Sequence, residues 1–164
     1  MIVTENRKKY SKEIGDTAES IFKNLMESKG CIVSESLKEQ NKFDNIDYFV
    51  TIGDKTFSFD VKTKHSESVW MEIKNIAGFK GSIYGKQTHF ALYYHNLNIL
   101  ATVKRTDMLQ YVKDNVIREI YIAKKGILVP YHYCYRREGR KDLLMKTKRE
   151  FLQLTVPSYK EYIL

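Results

Sequence analysis

The chain has 164 residues, enough for one domain with its own hydrophobic core, and its composition is that of an ordinary globular protein. It carries 28 Lys and Arg against 20 Asp and Glu, and the formal net charge of +8 favours a polyanionic partner, nucleic acid ahead of an acidic membrane surface. The opening MIVTENRKKY has no apolar core typical of a signal peptide, and no segment approaches transmembrane length. Cys31 and Cys134 have no metal-type spacing, so we expect reduced packing residues in a cytoplasmic protein.

The first half of the chain predicts a helix followed by a hairpin. Apolar residues recur at helical spacing from about Arg7 to Ser28, and Gly30 is a typical helix terminator. The segment CIVSES predicts a strand, and the polar loop LKEQNKFDN follows it. Two further strands, IDYFVTI and TFSFDVK, are joined at Gly53 and Asp54.

The second half predicts more strands and a second helix. Strands are expected at SVWMEIKNI, THFALYYH and NILATVK, with the glycine-rich loop AGFKGSIYGKQ after the first of them. Thr106 is the expected N-cap of the helix DMLQYVKDN. The pattern of the last third leaves its elements open. A helix, a mostly antiparallel meander and a further helix predict one layered α/β or α+β domain spanning residues 1–164.

The hairpin register places two carboxylates together. A two-residue type II′ turn at Gly53-Asp54 pairs Ile52 with Lys55 and sets Asp47 opposite Asp60, with Lys62 on the same face. Opposed carboxylates repel, and a divalent cation such as Mg²⁺ or Mn²⁺ would relieve the repulsion. The opposite face is the one we expect to be buried, and it carries Ile46, Tyr48, Val50, Phe57, Phe59 and Val61.

Other registers give other interpretations of the hairpin. A slip of the turn by one residue in each strand sets Asp47 opposite Lys62 and keeps the site, whereas a three-residue loop moves Asp47 to the apolar face. The alternative to a site is an exposed charged sheet face with an incidental Asp-Lys pair.

Asp47, twelve intervening residues and then Asp60-Val61-Lys62 resemble the motif of the PD-(D/E)XK nucleases, which include type II restriction enzymes and archaeal-type Holliday junction resolvases. Ile46 stands where the motif has proline. The segment GDTAESIFKNLMESKGCIV resembles the first helix of that family and contributes Glu19. The resemblance covers residues 10–95. It implies a restriction-endonuclease-like α/β core, in which an N-terminal helix precedes a mixed, mostly antiparallel central sheet flanked by helices.

The resemblance also implies roles for these residues. Asp47, Asp60 and the backbone carbonyl of Val61, with or without Glu19, would hold one or two Mg²⁺ ions, with Mn²⁺ as a substitute. Lys62 would orient the attacking water or contact the phosphoryl oxygens. The alternative for Glu19 is a surface glutamate at the edge of an amphipathic helix.

Basic residues follow the candidate catalytic strand. We expect DNA contacts from Lys64, His65, Lys74, Lys80, Tyr84, Lys86 and Gln87. The alternative is an ordinary surface loop. Glu72 is either a further metal ligand or, as we favour, a half-exposed strand residue, and Trp70 is expected in the core. The basic segments YRREGRK and KTKRE either track nucleic acid or are solvated faces.

Together these features predict a metal-dependent endodeoxyribonuclease that acts as a homodimer on branched DNA such as Holliday junctions, without a nucleotide cofactor. It would act in the cytoplasm, including that of a host if it is encoded by a phage or mobile element. The alternatives are a sequence-specific restriction-type enzyme, an inactive nucleic-acid-binding module of the same fold, and a basic protein-interaction domain. RNA stays open as a substrate.

Overall fold

The computed structural model describes residues 2–64, 66–124 and 128–164. In chain order, the elements in these ranges are α1 (Ile2–Ser28), β1 (Ile32–Glu35), β2 (Tyr48–Ile52), β3 (Lys55–Lys64), β4 (Ser68–Lys74), β5 (His89–Tyr94), β6 (Ile99–Lys104), α2 (Arg105–Asn115), β7 (Ile117–Ala123), β8 (Tyr133–Arg137), β9 (Leu143–Lys148), α3 (Arg149–Thr155) and β10 (Lys160–Ile163). A π-helical turn covers Gln40–Asp44, and short 3₁₀ turns cover Ser82–Tyr84 and His95–Leu97.

The strands form two sheets, and the fold is α/β with an N-terminal helix. The larger sheet has six strands in the order β1-β2-β3-β5-β6-β10. Its neighbours are antiparallel except for β3 and β5, which are parallel, so the expected mixed, mostly antiparallel sheet is confirmed.

The expected meander is wrong at β4. This strand leaves the larger sheet and joins a second sheet of four strands in the order β4-β9-β8-β7. Its place beside β3 is taken by β5, which pairs with the second half of β3 from Phe59 to Lys64. The alternating pattern of a strand does not specify its partner, and partners far apart in the chain decide it here.

Helix α1 covers one face of the larger sheet. Ala18, Phe22 and Met26 pack against Tyr48 and Phe59 of the hairpin, and all five are buried. Val50 and Ile46 are buried on the hairpin as well, whereas Phe57 and Val61 are half-buried. The expected apolar face of the hairpin is therefore the one that packs against the helix.

The other face of the larger sheet is also covered, by α2 and the second sheet. Phe90 and Val103 of the larger sheet, Met108 of α2, and Met71 and Met145 of the second sheet belong to one buried cluster. A hairpin face carrying two aspartates and a lysine would be expected to face solvent. The structure instead places this face toward the interior between the two sheets, because β4 folds back over it.

Two smaller expectations need correction. Helix α2 begins at Arg105 rather than after Thr106, and the side chain of its N-cap residue, Lys104, makes no capping hydrogen bond. The Arg105 amide instead donates to the Thr88 carbonyl at 2.9 Å, so a neighbouring loop satisfies the helix start. Trp70 is half-buried rather than in the core, with its ring 5.0 Å from that of Tyr135.

Cys31 and Cys134 are free thiols, and Cys134 is buried. None of the helices in the described part of the chain is both long and apolar enough to cross a membrane.

Candidate functional site

The hairpin has the register that its turn predicts. Tyr48 pairs with Phe59 and Ile52 with Lys55, and Gly53 has a φ of 62°, as the first central position of a type II′ turn requires. The ladder ends at the Tyr48–Phe59 pair. Asp47 lies one residue beyond it, where its amide donates to the Phe59 carbonyl at 2.8 Å. The two aspartates are therefore close, but they do not form a regular cross-strand pair.

The Asp47 carboxylate is held by two donors. Its Oδ2 atom accepts a hydrogen bond from the Val61 amide at 2.7 Å, and its Oδ1 atom accepts one from the Asn41 side-chain amide. The first donor is backbone of β3, between Asp60 and Lys62. The position of this carboxylate is thus tied to the strand that carries the other two candidate residues.

Asp60 is almost completely buried, with 2% of its side chain exposed. Its Oδ1 atom lies 2.9 Å from the ammonium of Lys62, but its Oδ2 atom is buried without a hydrogen-bond partner among the described residues. Burial raises the pKa of Asp60 to about 6, with Lys62 opposing the shift and nearby Asp47 adding to it. This carboxylate thus has one oxygen free for a further ligand.

Lys62 is the more accessible member of the ion pair, with 42% of its side chain exposed. Burial lowers its pKa, but the carboxylates of Asp60, Asp47 and Glu72 outweigh that effect, so the net pKa is raised. Lys62 is therefore a cation throughout the neutral range.

Glu72 reaches the site from the second sheet. It is half-buried on β4, as expected, and its Oε2 atom accepts a hydrogen bond from the Ser82 amide at 3.1 Å. It thereby anchors the glycine-rich loop, and its charge also acts on Lys62. Sequence reasoning ranked Glu72 below the hairpin residues because nothing in the chain predicted that β4 would fold back over β3.

Glu19 lies on the other side of the sheet edge, beside Asp47. Both line a cavity with Glu35, Asn41 and Tyr48. The Tyr48 hydroxyl donates to Glu19 Oε2 at 3.4 Å. Burial raises the pKa of Glu19, and the charge of Asp47 raises it further. Glu19 is thus near Asp47, as expected, but it lines a different cavity from Lys62.

Sequence reasoning missed Asn41. It lies in the polar loop before β2, within the π-helical turn Gln40–Asp44, which is followed by Asn45 with a φ of 57°. The position of Asn41 in the sequence could have indicated this contact, because a short polar loop that leads into Asp47 must pass close to its carboxylate.

The expected DNA-binding residues divide into an exposed and a buried group. Lys74, Lys80, Tyr84 and Lys86 are accessible on or near the glycine-rich loop. Lys80 lies 5.9 Å from the Tyr84 ring, and Lys86 pairs with Asp44 at 2.9 Å. A side chain added at Gly78 would lie 3.6 Å from Lys141 of the YRREGRK segment. Two basic segments that are distant in the chain therefore meet on one surface.

Gln87 and Lys64 are corrections. Gln87 is fully buried and donates to the Ser82 carbonyl at 2.8 Å, so it supports the loop from inside. The Lys64 ammonium donates to the Trp70 carbonyl at 3.3 Å, and burial lowers its pKa to about 8. Gln87 is therefore inaccessible to DNA, whereas the half-buried Lys64 lines an internal cavity rather than the exposed basic surface. His65 lies outside the described residues.

The donor atoms fit a hard divalent cation. Within residues 2–64, 66–124 and 128–164, no three His, Cys, Asp or Glu side chains form a group that could hold a metal ion. The set that the motif suggests is different, since it comprises two carboxylates and the carbonyl of Val61. Oxygen ligands of this kind suit Mg²⁺ and Mn²⁺, and the Oδ2 atom of Asp60 has no hydrogen-bond partner among the described residues.

Comparisons with models of known protein families, with curated proteins and with solved structures returned no match.

Proposed function

We propose that this chain is a divalent-metal-dependent endodeoxyribonuclease with a restriction-endonuclease-like core. The observation that carries the proposal is the buried, unpartnered Oδ2 atom of Asp60, a carboxylate that pairs with Lys62 through its other oxygen and feels the charge of Asp47. An incompletely paired buried carboxylate opposes folding. Such groups with perturbed pKa values concentrate at functional sites, where the chemistry uses them.

Asp47, Asp60 and the Val61 carbonyl would hold the ion, with Glu19 close to Asp47. When bound, Mg²⁺ would polarise the scissile phosphate, offset negative charge in the transition state and lower the pKa of the attacking water.

The protein's own groups supply position and charge. The Val61 amide and the Asn41 side chain orient Asp47. Asp60 holds the Lys62 ammonium 2.9 Å away, and this cation is accessible enough to donate a hydrogen bond to a phosphoryl oxygen or to the attacking water.

The substrate class follows from charge and from the surface beside the site. The net charge of +8 favours DNA or another polyanion, and Lys74, Lys80 and Lys86 are exposed close to Glu72 and its loop. Lysine contacts to phosphates depend on the path of the DNA backbone and not on the base sequence. We therefore favour branched DNA, cut by a homodimer whose two sites nick two strands symmetrically.

A plasmid-nicking assay tests the activity. We expect cleavage in Mg²⁺ and none in EDTA. Asp60→Asn and Lys62→Ala should lower the rate at least 100-fold while leaving the fold and DNA binding intact. Asp54→Asn, in the exposed turn of the same hairpin, is the matched control and should cut normally. Cleavage by either purified site variant at the rate of the unmodified protein would disprove the site.

A competition between a four-way junction and linear duplexes of the same sequence, at fixed salt, tests the substrate class. Preferred cleavage of the junction supports the proposal. Equal cleavage of both, or discrete fragments from ordinary genomic DNA, would point to sequence-specific cutting instead.

One observation favours a second candidate, a DNA-binding module that does not cut. Asp60 is only 2% exposed and is already paired with Lys62, so an ion can reach it only if the site opens locally. Salt-sensitive DNA binding without nicking in either Mg²⁺ or Mn²⁺ would establish this alternative. Absence of DNA binding at low salt would exclude both candidates and favour a protein-interaction domain.

A further inference from the structure

A second cavity lies between the two sheets, directly beside Lys62. Its volume is about 210 Å³. Its apolar wall is formed by Ile83, Phe90, Leu92 and Met108, all buried. A dry cavity of roughly 150 Å³ is enough to bind a benzene ring, so this one has room for a single aromatic ring system.

The rest of the cavity lining is polar and contains both donors and acceptors. Lys62, Lys64 and Glu72 line it together with Ser82. The Lys64 ammonium has three donor hydrogens, and the described residues provide it with one acceptor, the Trp70 carbonyl at 3.3 Å. On Glu72, the Oε2 atom accepts from the Ser82 amide, which leaves Oε1 as the further acceptor of that side chain.

This combination suits a heteroaromatic ring better than an anion. Two carboxylates, Glu72 in the cavity wall and Asp60 paired with Lys62, balance the formal charge of the two lysines, so an anion held wholly inside the cavity would be less favoured than a neutral ring. A nucleobase presents donors and acceptors along one edge of an apolar ring. The acceptors on that edge can bind the ammonium of Lys64, and its donors can bind the carboxylate of Glu72. The faces of the ring can pack against the apolar wall.

The partial burial of the Lys64 side chain in this cavity favours the binding of a ligand. Burial, and then the neighbouring charge of Lys62, lower the pKa of Lys64, which is the direction expected for an ammonium withdrawn from water. An additional acceptor from a bound molecule would compensate for part of that lost solvation.

We propose that this cavity receives one unpaired nucleobase of the substrate, while the adjoining phosphate lies at Lys62. The inference rests on the proposed nuclease function and narrows its substrate to DNA with at least one unpaired or easily extruded nucleotide. Extraction of a base from a regular duplex requires unstacking and unpairing, and this cost is smaller for an unpaired or weakly stacked nucleotide at a branch point. Selectivity for branched DNA would then arise at the cavity rather than from base-sequence reading.

The experiment uses 2-aminopurine, a fluorescent adenine analogue whose emission is quenched by stacking. One probe carries it as an unpaired nucleotide at a three-way branch, and a second carries it fully paired in a linear duplex of matched sequence. Both are titrated with the full chain in EDTA, so that no cleavage occurs. We expect several-fold higher emission and at least 10-fold tighter binding for the unpaired probe. Equal affinity for the two probes, with no change in emission, would overturn the proposal.

Two substitutions locate the effect. Lys64→Met keeps the length of the side chain and removes its charge, and should reduce the preference for the unpaired probe about 10-fold. Lys55→Met, at the exposed start of the same strand, should leave the preference unchanged. An unchanged preference in Lys64→Met would overturn the assignment to this cavity. The emission measured with the unmodified protein stands whether or not a variant folds.

The nicking assay separates this inference from the proposed function. Probe-dependent emission without cleavage in Mg²⁺ would retain the base-binding cavity and reject the nuclease. Cleavage without any preference for the unpaired probe would retain the nuclease and reject the cavity.

Discussion

The carboxylate of Asp47 accepts a hydrogen bond from the backbone amide of Val61 at 2.7 Å, just where the ladder between β2 and β3 ends. The Asp47 carboxylate thus accepts the hydrogen bond that a backbone carbonyl would accept if the ladder continued. Asp47 consequently stabilises the end of the sheet and also belongs to the candidate metal site. Substitutions can separate these two roles.

Asp47→Ala removes the acceptor of the Val61 amide, whereas Asp47→Asn retains an oxygen for it. We expect the alanine variant to lose about 1–2 kcal/mol of unfolding free energy, because a half-buried amide is left unpaired. The asparagine variant should lose less, and both should lose cleavage. Urea unfolding of the two variants measures the difference. Equal stability of both would mean that the Val61 hydrogen bond contributes nothing to the fold.

Asp60 should make the metal-free protein less stable as the pH rises. Its folded pKa of about 6 lies above the ordinary value of 3.8, so its favourable contribution is complete below about pH 4 and is lost through pH 6. The expected loss is up to roughly 3 kcal/mol between pH 4 and pH 7.

The comparison is with Asp60→Asn in EDTA, since Glu19 and other groups titrate in both proteins. The difference in melting temperature between the two should change across this range, and the variant should be at least as stable near neutral pH. Parallel curves, or a clear loss of stability in the variant at neutral pH, would show that ionised Asp60 is structurally favourable.

Mg²⁺ or Mn²⁺ should stabilise the folded protein. A cation that binds only the folded state at 100 times its dissociation constant adds about 2.7 kcal/mol, which corresponds to roughly 5–10 °C for a chain of this size. Asp60→Asn should abolish the shift, and Asp54→Asn should keep it. Differential scanning fluorimetry after EDTA treatment measures it, and an equal shift in both variants would place the cation elsewhere.

Gly81 sits where the glycine-rich loop crosses β4. An added Cβ atom would lie 2.3 Å from the Glu72 carbonyl oxygen, which belongs to backbone and cannot rotate away. Gly81→Ala should therefore shift the loop, weaken the bond from Ser82 to Glu72 and cost about 1–3 kcal/mol.

Gly15→Ala is the matched control, because an added Cβ there meets nothing within 4 Å in the middle of helix α1. It should stabilise the protein by about 0.5–1 kcal/mol. A neutral effect of Gly81→Ala in thermal unfolding would indicate that the loop accommodates the methyl group.

An ion pair between Arg149 and Glu161 connects α3 to the C-terminal strand, β10. Arg149 donates to both oxygens of Glu161, at 2.6 and 2.7 Å, and the Tyr159 hydroxyl lies 2.9 Å from Glu161 Oε1 and 3.0 Å from the Tyr94 hydroxyl. Glu161→Ala should cost about 2 kcal/mol, because Arg149 and Tyr159 lose their acceptor.

Lys160→Ala on the adjacent exposed position should be nearly neutral. Arg149 lowers the pKa of Glu161, so the contribution of this pair should be present above the ordinary glutamate pKa and lost as the pH falls through the folded value. Chemical denaturation at neutral and acidic pH measures both effects. Equal stability of the two variants would mean that the ion pair contributes no more to the unfolding free energy than solvation of the separate groups does.

The hairpin and the helix that covers it were predictable from the sequence because their determinants are local. A two-residue turn with glycine at its first position sets the register, and strict alternation then assigns each side chain to a face. Helical spacing similarly identified the stripe of α1 that packs on Tyr48 and Phe59. Asp47, Asp60 and Lys62 were therefore brought together by information contained within twenty residues of chain.

Only the tertiary structure decided what lies against each face. Asp60 and Lys64 are polar residues on a strand, and their pattern suggested an open face, but β4 and α2 cover it, so that Asp60 is buried and Lys64 is half-buried. Gln87 looked like part of a surface loop and is fully buried for the same reason. Alternation specifies which residues share a face, whereas burial depends on a second sheet in which β4 pairs with strands from the last third of the chain.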